Sequence, residues 1–125
     1  RVTFTGFLND EQKLDAFVDS NLTVIPSRNE IFSITMLESL LCARPVLISS
    51  ACGFFPMPGY DEGAMQFKSE DVEDLSEQIS KALNDKRFFL NAEEGSRFAA
   101  ESFGIERVTS MTEKIYLEVI GSKSK

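Results

Sequence analysis

The period of the apolar positions changes several times along the chain. Val2 to Thr5 alternates β-branched and aromatic residues up to Gly6, the period of two that a strand requires. Asp10 to Val18 then places Leu14, Phe17 and Val18 at helical spacing. Leu22 to Ile25 is a short β-rich run stopped by Pro26, and Ile31 to Ala43 reads as an apolar helix holding Phe32, Ile34, Met36, Leu37, Leu40 and Leu41. Pro45 to Ile48 gives another apolar strand. A stretch rich in small and turn residues follows from Ser49 to Gly63, with Gly53, Pro56, Pro58 and Gly59, and reads as a loop.

Ala64 to Phe67 is a fourth, short strand. Asp71 to Leu83 is an amphipathic helix with Val72, Leu75, Ile79, Ala82 and Leu83 as its core stripe. Asp71, Glu73 and Asp74 in its first turn suit the positive end of the helix dipole. Helical stretches over about Lys86 to Ser102 and Ile105 to Ile120 precede a Gly-Ser-Lys tail, residues 121–125, expected to fray. Strands alternating with helices, the strands continuously apolar, indicate an α/β fold: a Rossmann-like, mainly parallel sheet with helices on both faces. In such sheets ligands bind beyond the carboxyl ends of the strands, where loops lead into helix N-termini. That rule selects Gly6 to Asp10, Pro26 to Phe32 and Ser49 to Gly53, which are expected to line one site.

Composition narrows the function classes. With 125 residues, 42% hydrophobic and 26% charged, the chain suits one globular domain rather than a disordered segment. The net charge of −7 argues against nucleic acid, whose backbone needs clustered Lys and Arg. No window reaches the roughly 18 to 20 apolar residues of a transmembrane segment, and no signal peptide is recognisable. There is no histidine, and the two cysteines are Cys42 in an apolar helical pattern and Cys52 beside Gly53. Structural zinc sites and histidine acid/base chemistry therefore lack raw material. Free thiols fit a reducing, cytoplasmic compartment.

The run Pro26-Ser27-Arg28-Asn29-Glu30-Ile31-Phe32-Ser33, continuing through Met36, Leu37 and Glu38, is the most informative. On a continuous helix Glu38 would lie about 12 Å along the axis from Glu30 and about 80° around it, too far apart for a close catalytic pair. That separation suits two contacts to one elongated ligand, with free backbone N–H groups at the helix start to receive an anion. The plain alternative is that Glu30 caps the helix and Glu38 is a solvated or ion-paired helix residue. Glu38 stands among Leu37, Leu40 and other apolar residues, however, and a carboxylate beside a buried face needs a partner. A ribose diol and an arginine are both candidates.

These residues carry a resemblance. Val2-Thr3-Phe4-Thr5-Gly6, the stretch from Asp15 through Ser20 into Leu22-Thr23-Val24-Ile25-Pro26-Ser27, and the Glu30-to-Glu38 step followed by Pro45-Val46-Leu47-Ile48 come in a fixed order. As a set they resemble the retaining glycosyltransferases of GT-B fold related to glycogen and sucrose synthases. The resemblance implies part of the C-terminal donor-binding domain, over residues 1–120, for a nucleotide diphosphate sugar with a UDP, GDP or ADP carrier. Glu30 would be the catalytic-site residue that contacts hydroxyls of the transferred sugar, and Glu38 would hold the ribose. Backbone amides of Phe32, Ser33 and Ile34 would face sugar and diphosphate, with Gly6 and Phe7 where the base rests. Ser33 replaces the family's common Gly, and Arg44 stands where Gly is usual in the turn before Pro45, as a surface turn residue.

The implied reaction is glycosyl transfer to an acceptor with retention at the anomeric carbon, as part of glycan biosynthesis. The leaving diphosphate would be held by the helix N-terminus and basic side chains, with no metal and no cofactor beyond the donor. By the family pattern two earlier strand-and-helix units and an N-terminal acceptor domain do not fall within this chain. The isolated chain is therefore expected to be inactive, and its open sheet edge to favour self-association. Alternatives are a GT-B sugar-nucleotide epimerase and a non-catalytic α/β interaction domain. Phe54, Phe55, Met57 and Tyr60 are expected to pack their own loop, and Lys81, Lys86 and Arg87 to be surface charges.

Overall fold

A computed structural model describes residues 1–52 and 63–122. The elements in chain order are α1 (Asp10–Asp19), β1 (Thr23–Ile25), α2 (Ile34–Leu41), β2 (Val46–Ser49), β3 (Ala64–Phe67), α3 (Val72–Asn84), α4 (Lys86–Phe103) and α5 (Ile105–Ser122). The three strands form one parallel sheet in the order β1-β2-β3. Thr23 pairs with Val46 and Ile25 with Ile48, while Val46 pairs with Ala64 and Ser49 with Phe67.

β2 is the central strand and all four of its residues are buried. Because side chains alternate across a strand, Val46 and Ile48 share one face, where Met36 and Leu40 of α2 and Ala99 of α4 complete the core. Leu47 and Ser49 point to the other face, where α3 packs on β2 and β3. α2 is pinned to the sheet by a polar contact as well: the fully buried Ser39 hydroxyl donates to Thr23 Oγ1 at 2.8 Å. α4 reaches α2 across small residues. A Cβ on Gly63 would stand 2.9 Å from Leu40 Cδ2 and 3.1 Å from Ala92 Cα, and one on Gly95 would stand 3.3 Å from the same leucine methyl. Glycine is required at Gly63 by that close backbone approach.

Local chemistry explains the helix ends. Asn9 and Gln12 form a reciprocal capping box at the start of α1. Asp71 caps α3 by accepting from Asp74 N at 3.0 Å. α5 touches the body through α4, and Ile105, Tyr116, Leu117 and Ile120 are each more than 60% exposed.

Four expectations need correction. Val2 to Thr5 forms no strand: the segment is exposed throughout, with Phe4 95% accessible, because no neighbouring strand among the described residues supplies a hydrogen-bonding ladder. The second helix begins at Ile34 rather than Ile31. Ser33 takes an extended conformation and its hydroxyl accepts from Met36 N at 3.2 Å, so Ser33, and not Glu30, is the N-cap. In the turn before Pro45 Ala43 is left-handed, φ 53°, and Arg44, expected at the surface, is only partly exposed. Lastly, α5 continues through Gly121 to Ser122, into the expected tail.

Candidate functional site at the carboxyl ends of the strands

Glu30 lies beyond the end of β1 and is held by an isolated parallel bridge to Cys52, its N–H donating to Ala51 O at 3.4 Å. The bridge extends the pairing of β1 with β2 past both strand ends. It also brings the Pro26 to Phe32 segment against the start of the Ser49 to Gly53 segment, two of the three loops expected at one site. Residues 53–62 lie outside the described residues, and with them Gly53, Phe54, Phe55, Met57 and Tyr60.

Because α2 starts at Ile34, the helical spacing of Glu30 and Glu38 does not apply. Glu30 stands on the approach to the helix and Glu38 in its middle. Between them Ser33 is buried, Ile34 is 65% exposed, and the Phe32 ring packs against Phe103 of α4 with centroids 5.6 Å apart. The first-turn N–H groups of Ile34 and Thr35 have no intrahelical acceptor, as at any helix start, so an anion could be received there. The third loop is different. Gly6, with φ 67°, and Phe7, 95% exposed, precede α1 in a segment that is exposed from residue 1 to residue 7.

What ties that N-terminal region to the site is a residue the sequence pattern did not single out. Lys13 Nζ donates to Glu38 Oε1 at 2.7 Å, with the two side chains 36% and 29% exposed. The Glu38 carboxylate is thus paired, as its apolar setting requires, but by a lysine. The bond raises the Lys13 pKa against the lowering effect of partial burial, with the charge of Glu38 adding to it. A lysine on an amphipathic helix face is ordinarily a solvated charge, and nothing in its local spacing sets it apart.

On the α3 side, Pro26, Arg28, Ser49 and Phe67 line an open groove of about 360 Å³ together with the start of α3. Arg28 Nε pairs with Glu70 Oε1 at 3.2 Å, both well exposed. Asp74 accepts from Lys68 N at 2.6 Å and Asp71 from Asp74 N; these backbone bonds are the main cause holding both carboxyls below the usual range. Neither Glu30 nor Glu38 lines this groove, so it is distinct from the α2 surface. Among the described residues no helix is long and apolar enough to cross a membrane.

The parallel sheet carries Glu30 beyond the end of β1 and Glu38 within α2, and comparison with known proteins identifies the family. The family model for glycosyl transferases group 1 matches residues 1–106, and the chain belongs to that family. It is 30% identical over 89 residues to the serotype-specific mannosyltransferase WbdA of Escherichia coli, covering 71% of this chain and 11% of that protein. It is 28% identical over 89 residues to mannosylfructose-phosphate synthase of Agrobacterium fabrum, covering 71% of this chain and 20% of that one. The fold matches sucrose-phosphate synthase from Thermosynechococcus elongatus with a TM-score of 0.85 at 23% identity, over 98% of this chain and 31% of the other. The expected α/β, Rossmann-like portion of a GT-B domain is borne out. The chain spans between a tenth and a third of the length of these proteins, 11% to 31%.

Proposed function

We propose that this chain forms part of the donor-binding half of a retaining glycosyltransferase that takes a nucleotide diphosphate sugar and works within a longer polypeptide supplying the acceptor domain. The observation that carries the reading is the placement of Glu30 and Glu38 on either side of the α2 start, at the strand ends, inside a family of glycosyl transferases. Glu30, anchored by its bridge to Cys52, accepts from hydroxyls of the transferred sugar. Glu38 accepts from the ribose. The unpartnered N–H groups at the start of α2 receive the diphosphate and offset the charge that develops as it leaves. One relative named a mannosyltransferase and another named a mannosylfructose-phosphate synthase make a mannosyl donor the first to try.

Ligand-observed NMR with UDP-, GDP- and ADP-sugars against the full-length protein tests the donor site and names the carrier. Glu38→Ala should weaken the bound donor about 10- to 100-fold, the range for a lost hydrogen bond to a charged group. Binding that Glu38→Ala leaves unchanged sinks the assignment. The anomeric configuration of the product, read by proton coupling constants, tests retention.

A further inference from the structure

α1 buries none of its residues. Among the described residues it is joined to another element by one hydrogen bond, from Lys13 to Glu38, across 25 positions of chain. A glutamate alone on a helix surface has several rotamers open to it. Bound at 2.7 Å to an ammonium, Glu38 is held in one. Its carboxylate offers about four lone-pair sites, so acceptors remain after one is given to Lys13. A carboxylate makes the stronger, charge-assisted kind of hydrogen bond to a hydroxyl. Asp10 also approaches the ammonium, at 3.5 Å, but its side chain is 99% exposed and is a solvated second carboxylate rather than a substitute for Glu38.

We propose that Lys13 is a positioning residue for the donor nucleotide: by fixing the Glu38 carboxylate it sets the preference for a ribose diol over a deoxyribose. The inference rests on the donor-site reading and extends it to α1, an element with no other polar link to the site among the described residues. Lys13 acts through Glu38 and need not touch the ligand.

The test is calorimetric titration of the full-length protein with UDP, GDP and ADP, each against its 2′-deoxy and 3′-deoxy counterparts. Lys13→Met should lower the preference for the ribose form by about three- to tenfold, the scale of coupling between contacting residues. Glu38→Ala should abolish the preference, and the double variant should match Glu38→Ala alone. In turnover assays Lys13→Met should raise KM for the nucleotide sugar and leave kcat nearly unchanged. Lys13→Arg, which keeps a cation, should restore most of the preference and guards against a variant that fails to fold. Equal weakening of ribose and deoxyribose forms by Lys13→Met would show a merely structural staple and overturn the proposal. A preference that survives Glu38→Ala, or no binding of any of the three nucleotides, would instead overturn the donor-site reading.

Discussion

The segment from Val2 to Thr5 and the strand from Thr23 to Ile25 carry the same kind of β-branched, apolar pattern, yet only the second is a strand. Thr23, Val24 and Ile25 lie beside Val46, Leu47 and Ile48, which supply the parallel ladder. Val2 and Phe4 have no partner strand among the described residues and are 80% and 95% exposed. The difference teaches that alternation makes a segment competent for a sheet, whereas a neighbour makes it one. The same contrast separates α2, which buries Met36, Ser39 and Leu40, from α1, which buries nothing.

Truncating the packed unit should therefore cost far more than truncating the exposed one. Leu40→Ala removes a fully buried side chain between α2, Gly63 and Gly95, and should destabilise the fold by about 2–5 kcal/mol. Leu14→Ala, at a half-exposed position of α1, should stay within about 0.5 kcal/mol. Urea denaturation compares the two directly, and equal losses would mean that α1 is packed as firmly as α2.

A smaller effect of opposite sign is expected at the end of α2. Ala43 is left-handed at φ 53° and its Cβ is strained there, so Ala43→Gly should stabilise the chain by about 1 kcal/mol. A melting temperature that falls would show that the turn is held by something other than backbone preference.

The smallest effect is local and depends on pH. Asp71 and Asp74 have carboxyl pKa values lowered in the folded chain, so their contribution is present above the unfolded value near 4 and is lost as pH falls through the lower folded values. Protection against hydrogen exchange at the start of α3 should be lost below about pH 4 before protection in β2 is. Asp74→Asn should flatten that dependence. An α3 start insensitive to acid would contradict the capping role of Asp71 and the Asp74 bond to Lys68 N.

Much of the architecture is legible in local chemistry. The bounds of β3, the acidic first turn of α3 and the succession of strands and helices follow from period and composition, because each depends on neighbours a few residues away. The candidate site is only half legible. Glu30 and Glu38 stand out because charge interrupts an apolar run, and the fold rule places them at the strand ends. Their geometry is not readable from spacing, since the Ser33 cap and the Glu30 bridge to Cys52 move the helix start by three residues, from Ile31 to Ile34.

The sequence by itself determined that this chain is an α/β unit of a glycosyltransferase family, with a carboxylate before α2 and another within it. Only the tertiary structure decided which alternating segment becomes a strand, that Ala43 carries the left-handed turn after α2, and that Glu38 is partnered by Lys13. The physical reason is one of range. Capping and periodicity act within a few residues, whereas a strand ladder and an ion pair join residues tens of positions apart, and nothing in either local pattern announces the other.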